Sequence, residues 1–274
     1  MENFKDKDNH KDCPIYFKKR MINMKKIAIY GKGGIGKSTT VSNLAVALTK
    51  LGKTVFQIGC DPKADSTISH HHGQRILSVL DALRQGKERE EDIVYKSDDG
   101  VYCIESGGPI PGNGCAGRGI IAAFEKIKEL NLFEKYHPDY VLFDVLGDVV
   151  CGGFAMPIRN GYADDLYIVT SGEMMSLYAA DNILKAVRYQ KKVGYATFKG
   201  LIINQKGIAN EEAIVLQAAQ EMDANIFYSI PRSSYIQEAE KMKKTVVEAF
   251  KDADITQHYF KLAQKIIDGD KNEN

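Results

Sequence analysis

Gly31-Lys32-Gly33-Gly34-Ile35-Gly36-Lys37-Ser38-Thr39 is the stretch that decides the fold. It satisfies G-x-x-x-x-G-K-[ST], and it stands between an apolar run, Lys25–Tyr30, that reads as a strand and a stretch, Lys37–Lys50, with helical spacing. Glycines let such a loop wrap closely around a triphosphate and aim its N–H groups at it, while the helix that starts at Lys37 adds its positive end. The Lys37 ammonium can then reach the β/γ-phosphates of ATP, and Ser38 is placed to ligate Mg²⁺. The bland alternative, a chance glycine turn, is disfavoured by the flanking strand and helix.

Outward from this loop, short runs rich in Val, Ile, Tyr and Phe recur at Thr54–Gly59, Val101–Glu105, Asp139–Asp144, Asp165–Thr170, Lys199–Asn204 and Asn225–Ser229. Helical spacing separates them at Arg75–Gln85, Arg118–Leu130, Met175–Val193, Glu211–Met222 and Ser233–Met242, and Ile255–Ile267 closes the chain. The alternation predicts an α/β phosphate-loop NTPase fold: a mostly parallel sheet of about seven or eight strands, flanked by helices on both faces, with binding loops at the strand C-terminal ends. No Pro/Ser-rich linker interrupts it, so residues 24–274 are expected to form a single domain. Residues 1–23, which precede the first strand, are expected to be a poorly ordered N-terminal extension.

The 274 residues carry 37 basic and 36 acidic side chains, a net charge of +1, which does not suggest a nucleic-acid-binding face. No apolar run reaches the roughly eighteen residues of a membrane span, and the charged N-terminus lacks the apolar core of a signal peptide. A soluble, cytoplasmic protein is expected. Five cysteines, Cys13, Cys60, Cys103, Cys115 and Cys151, are too sparse for a secreted disulfide scaffold.

Two further strand ends carry acids. Asp61 and Asp65 lie in Gly59-Cys60-Asp61-Pro62-Lys63-Ala64-Asp65-Ser66-Thr67, after the second strand, where helix capping and turn chemistry around Pro62 are the alternative reading. Asp144 ends the Asp139–Asp144 run in Phe143-Asp144-Val145-Leu146-Gly147-Asp148, the place from which a Walker B acid holds the water shell of Mg²⁺. The loop through Gly147 and Asp148 can respond to a departing γ-phosphate.

Cys115 sits in a glycine-rich loop, Gly107 to Gly119, and Cys151 follows Asp148 in Val149-Val150-Cys151-Gly152-Gly153-Phe154; Cys60 and Cys103 fall in or at the end of strands. A [4Fe-4S] cluster needs four thiolates, so two loop thiols supply half and a two-fold dimer supplies the rest. Two loop cysteines without a common ligand are the competing reading.

Lys32 makes a second lysine in the phosphate loop. It reads either as a solvated loop residue or, by resemblance to the deviant Walker A class of dimeric ATPases, as a cation that reaches the partner subunit's nucleotide. Tyr30–Thr40, Gly59–Thr67, Glu105–Pro109, Gly114-Cys-Ala-Gly-Arg-Gly119, Phe143–Arg159 and Ser171-Gly-Glu-Met-Met175 together resemble the nitrogenase iron protein family, over almost everything from Lys25 to about Asp268. The resemblance implies an ATP-dependent iron-sulfur reductase, a homodimer sharing one [4Fe-4S] cluster through Cys115 and Cys151. It implies that Gly31 to Thr39 is the phosphate loop, with Lys32 the cross-subunit lysine. Asp61 and Asp65 correspond to a first switch and Asp144 to Asp148 to a second, with Asp148 orienting water for the opposite site. Asn204, Pro231 and Arg232 correspond to the surroundings of the adenine. Arg118 matches an arginine that some family members have ADP-ribosylated. The implied electron donor is ferredoxin or flavodoxin, and the implied acceptor is a nitrogenase or nitrogenase-like catalytic protein. After Met156-Pro157-Ile158-Arg159 the chain reads Asn160-Gly161-Tyr162 where the family usually places Glu and Lys, a departure that favours a nitrogenase-like acceptor. A second departure, Ile68-Ser-His-His-His-Gly-Gln-Arg75, reads as a solvated loop in which adjacent histidines cannot easily share one metal ion. The contrasting reading of the whole chain is a deviant Walker A partitioning or scaffold ATPase, which would not need Cys115 and Cys151 together.

Overall fold

Along β1 (Lys25–Gly31), Ala28 and Tyr30 enter one hydrophobic cluster and Ile27 and Ile29 the other. All four are buried, so this strand has no solvent face, and its sequence is a continuous apolar run because both sides must be covered. A computed structural model of the chain describes residues 24–108, 117–147, 162–190 and 196–273. The expected extension, residues 1–23 with Cys13, lies outside the described residues.

After β1 come α1 (Lys37–Lys50), β2 (Val55–Cys60), a 3-10 turn at Ile68–His71, α2 (Val79–Arg84), α3 (Glu90–Ile93), β3 (Tyr95–Lys96) and β4 (Tyr102–Glu105). The chain continues through α4 (Gly117–Glu129), α5 (Leu132–Tyr136), β5 (Tyr140–Val145), β6 (Asp165–Thr170), α6 (Met174–Gln190) and β7 (Thr197–Asn204). It finishes with α7 (Glu211–Glu221), β8 (Ile226–Ile230), α8 (Ser234–Lys241), α9 (Val246–Ala249) and α10 (Asp254–Glu273). The strands form one eight-stranded sheet in the order β3-β4-β2-β5-β1-β6-β7-β8. Every pairing is parallel except β3 with β4.

Helices cover both faces, as the alternation requires. Ile120 and Phe124 of α4, Ile183 and Leu184 of α6 and Val215 of α7 fill one cluster; Leu44 and Leu48 of α1 and Tyr259, Leu262 and Ile266 of α10 fill the other. Because the central strands run parallel, the exits of β1, β2, β4, β5, β7 and β8 share one edge, and chemistry-bearing loops gather there.

The seven longer strands fall where the apolar runs place them. Two-residue β3 and the short helices α3, α5 and α9 are additional, since four or five residues are too few to display a period. Helix α2 starts at Val79 rather than near Arg75 because the Ser78 hydroxyl accepts the Asp81 N–H at 3.2 Å and fixes the N-terminus there.

Glu211 stitches two of the exit loops together. Its carboxylate accepts N–H groups from Gly172 after β6 at 2.9 Å and from Lys206, Gly207 and Ile208 after β7, the Gly207 contact at 2.8 Å. Burial alone would push this carboxyl up, but the four N–H groups outweigh it and hold it below the ordinary glutamate range. Glu211→Gln is expected to lower unfolding free energy at neutral pH by about 2 kcal/mol. A depressed carboxyl stabilises above its unfolded-state value, so the deficit should vanish as pH falls below the ordinary glutamate range, a trend that urea titrations at several pH values read directly.

Candidate functional site

The phosphate loop is held by its core-facing and flanking residues. Ile35 is buried among β1 and its neighbours, while Gly33 and Gly34 face outward. Gly36, the N-cap of α1, has φ 91°, and a methyl group there would lie 2.4 Å from Asn204 Nδ2. That amide donates to the Ile35 carbonyl at 2.7 Å, and Lys206 Nζ reaches the same carbonyl at 3.3 Å. Arg232 Nη1 in turn donates to the Lys206 carbonyl at 2.6 Å. Asn204 and, through Lys206, Arg232 therefore sit on one flank of the loop, at the exits of β7 and β8, with Pro231 next to Arg232 in sequence.

On the other flank Lys37 makes the central contact. Its ammonium lies 2.7 Å from Asp144 Oδ1, and the second oxygen, Oδ2, accepts the Ser66 hydroxyl at 2.5 Å. Asp144 is 2% exposed, so this is an ion pair shielded from water and completed by a hydrogen bond. Just beyond β5, Gly147 packs on the backbone of Gly31: a methyl group there would fall 1.9 Å from the Gly31 carbonyl oxygen. Any larger residue at Gly147 must displace the start of the phosphate loop. Asp148, next in sequence, lies outside the described residues.

Asp61 and Asp65 behave differently from each other. Asp61 Oδ1 accepts the Lys63 N–H at 2.9 Å and its carbonyl accepts Ala64 N–H at 3.0 Å, so Asp61 makes the turn that the alternative reading allowed. Asp65 instead lines a cavity of ≈ 390 Å³ together with Ser38, Thr39, Glu240 and Lys243. The Thr39 hydroxyl also donates to Glu240 Oε1 at 3.2 Å.

The histidine segment does not form the solvated loop that its sequence suggests. His70 is buried, with Nε2 2.9 Å from Gln57 Oε1, and the Gln57 amide nitrogen donates to the Ser66 carbonyl at 3.0 Å. The 3-10 turn points His70 inward and leaves His72 outside, beside Asp98 at 2.9 Å. Among the described residues no group of three or more His, Cys, Asp or Glu side chains is placed to hold a metal ion.

Glu105 ends β4 as Asp144 ends β5, and it is fully buried. Its Oε1 accepts both the Thr67 N–H and the Thr67 hydroxyl at 2.7 Å, while Oε2 has no hydrogen-bond partner among the described residues. Burial pushes this carboxyl up to about 8, helped by the negative Asp144 and Asp65 and opposed by the Thr67 bonds.

The described cysteines do not suit an iron–sulfur cluster. Cys60 and Cys103 are fully buried, with Sγ 3.7 Å from the Ile58 carbonyl and 3.8 Å from the Val101 carbonyl, and burial pushes both thiols up. Protonated thiols inside the sheet are poor ligands, since iron binds thiolate. Cys115, Cys151 and the side chain of Arg118 lie outside the described residues. Ser66, Glu105, Lys206 and Glu240 are the site residues that sequence reading did not single out. The usable signal for Glu105 was an acid closing an apolar strand, the same signal that marked Asp144.

A carboxyl raised on folding takes up a proton in the folded state, so its contribution is present at low pH and is lost as pH rises from the ordinary glutamate value toward about 8. Relative to wild type, Glu105→Gln is therefore expected to gain stability progressively across that interval. Chemical denaturation at pH 5 and pH 8.5 measures it; a difference independent of pH contradicts a neutral Glu105.

The profile described as "4Fe-4S iron sulfur cluster binding proteins, NifH/frxC family" matches residues 25–273. The chain is 47% identical over 262 residues to nitrogenase iron protein 2 of Methanothermococcus thermolithotrophicus, covering 90% of each. It is 49% identical over 249 residues to the nitrogenase iron protein of Methanospirillum hungatei JF-1, covering 89% of this chain and 88% of the relative. Among solved structures, the Pyrococcus furiosus cell division ATPase MinD superposes with a TM-score of 0.67 at 22% identity, over 89% of this chain and 98% of that one. MinD in the Aquifex aeolicus MinC:MinD complex gives 0.69 at 21%, over 89% and 95%. Those two establish the fold, and the closer relatives with the profile match establish more: this chain belongs to the NifH/frxC family of 4Fe-4S iron–sulfur cluster-binding proteins.

Proposed function

We propose that this ATP-dependent reductase of the nitrogenase iron protein type binds MgATP through Gly31–Thr39 and holds a [4Fe-4S] cluster through Cys115 and Cys151 of each subunit of a homodimer. The observation that carries the reading is the Lys37–Asp144–Ser66 contact at the mouth of the phosphate loop. In the structure Lys37 pairs with Asp144. With MgATP bound, Lys37 would hold the phosphates, Ser38 would ligate the magnesium ion, and Asp144 would face its water shell. Ser66 is bonded to the other oxygen of the same carboxylate, so a reorientation of Asp144 would be felt by the segment from Asp61 to Thr67. Asp144 leads within a few residues to Asp148, the candidate for orienting water, and on to Cys151, so a movement at the γ-phosphate need not travel far.

The cluster, when bound, supplies a low-potential one-electron store. The protein's own part is to make its surroundings depend on nucleotide. Lys32 shares a surface with Gly147, Met175 and Tyr178, and both of those apolar side chains on α6 are 61% exposed. An apolar patch beside a phosphate-loop lysine fits a subunit face across which Lys32 meets the partner's nucleotide.

The catalytic partner is a nitrogenase-like protein, and ferredoxin or flavodoxin is the donor we propose. Arg118 is a candidate for ADP-ribosylation that blocks docking. We place the protein in the cytoplasm with no nucleic-acid or membrane partner: the balanced charge does not suggest a nucleic-acid-binding face, and among the described residues no helix is long and apolar enough to cross a bilayer. The alternative, a partitioning or scaffold ATPase, rests on solved-structure neighbours at 17–23% identity, which speak to fold alone.

Two experiments test the assignment. Cys115→Ser or Cys151→Ser is expected to abolish bound iron, whereas Cys60→Ser and Cys103→Ser should leave it nearly intact in anaerobically purified protein. Loss of iron in the second pair would move the ligands to the strands. Lys37→Gln should remove the acceleration that MgATP gives to iron extraction by a chelator; an undiminished acceleration refutes coupling through this lysine.

A further inference from the structure

The segment after β2 touches the corner after β4 at two separate points. At one, Thr67 gives its N–H and hydroxyl to Glu105, each at 2.7 Å. At the other, Pro62 lies so close to Gly108 that a methyl group on the glycine would stand 2.4 Å from Pro62 Cβ. The intervening backbone is also tied, since Ser106 N–H donates to the Gly59 carbonyl at 2.9 Å.

The corner itself is braced from behind. Leu80 N–H donates to the Ser106 carbonyl at 3.2 Å, and Arg84 Nη2 donates to the Gly108 carbonyl at 2.8 Å. Arg84 is fixed in turn by Asp81 at 2.6 Å. A methyl group on Gly107 would stand 2.3 Å from Ser78 Oγ, and one on Gly119 would stand 2.7 Å from the Gly107 carbonyl oxygen. Residues 105–108 are thus enclosed by the post-β2 segment, α2 and the start of α4. A shift of Pro62 and Thr67 has no slack to dissipate in, because packed backbone and buried hydrogen bonds transmit displacement.

We infer that Glu105 is a positioning residue: through Thr67 it locks the nucleotide-sensing segment to the corner that leads toward Cys115, giving a coupling route separate from the one that runs from Asp144 toward Cys151. The inference rests on the proposed function, in which Asp61 to Thr67 senses nucleotide and Cys115 is a ligand. Glu105 reaches neither directly. Its fully buried carboxyl has one oxygen committed twice to Thr67 and the other against Gly59, where no water-facing role is open to it. The charged groups facing it are Asp144 from β5 and Asp65 from the post-β2 segment.

The test uses the holo-dimer with Thr67→Val, Gly108→Ala and Glu105→Gln, each checked for wild-type iron content. Thr67→Val keeps shape and the backbone donor but removes the hydroxyl, and Gly108→Ala wedges the second contact apart. Two quantities are read: hydrogen exchange of peptides spanning residues 102–108 with and without MgATP, and MgATP-accelerated iron chelation. Thr67→Val and Gly108→Ala should cut both responses at least fivefold while MgATP affinity stays within twofold. Glu105→Gln, which retains the acceptor for Thr67, should keep them. Wild-type responses in Thr67→Val and Gly108→Ala overturn the inference alone. A loss of response that merely follows a loss of MgATP affinity also overturns it, by placing Thr67 in the nucleotide site. A wild-type dimer whose iron is released equally fast with and without MgATP refutes the functional reading as well.

Discussion

A lysine and an aspartate paired out of reach of water, Lys37 with Asp144, set the terms for the rest of this molecule. Removing one member of such a pair leaves an uncompensated charge and costs about 3–5 kcal/mol. The pair therefore persists until something else can serve both partners at once. In the function proposed above, a triphosphate accompanied by magnesium would do so, since it would offer Lys37 new oxygens and Asp144 a hydrated cation.

Because Asp144 also accepts the Ser66 hydroxyl, the exchange cannot stay local. Ser66 belongs to a buried polar seam in which Gln57 bridges Ser66 and His70, and in which Thr67 meets Glu105. Buried polar groups hold one another in place more strictly than apolar ones do, since any broken hydrogen bond leaves a desolvated group. The seam runs beneath the exits of β2, β4 and β5, three adjacent strands of one rigid sheet. The exits of these strands end at Gly107, Gly108 and Gly147, where the lack of a side chain lets Ser78, Pro62 and the Gly31 backbone approach closely, so the corners are packed against the elements around the phosphate loop.

The sheet and its long helices were legible in the sequence because both faces of the strands are covered, which turns each strand into an apolar run with a clear end. Asp144 was legible for the same reason, as a charge at the end of such a run. His70 was misread since a run of three histidines looks polar, and only the 3-10 turn reveals that Gln57, itself buried in β2, waits to receive one of them. Glu105 was overlooked although it ends its strand as plainly as Asp144 does. Its meaning depends on Thr67, distant in sequence, and no local pattern announces a carboxyl kept neutral by burial. Asp61 and Asp65 could not be separated by sequence, because whether an acid caps a turn or faces a cavity is decided by the backbone around Pro62.

In the function proposed above, one symmetric assembly carries both the nucleotide sensors and the iron–sulfur centre. Sedimentation of anaerobically purified protein, with iron and acid-labile sulfide measured across the same boundary, is then expected to show iron travelling with a dimer at about four atoms per two chains. Iron carried by monomers, or a dimer that binds MgATP fully and contains no iron after anaerobic reconstitution, would contradict it.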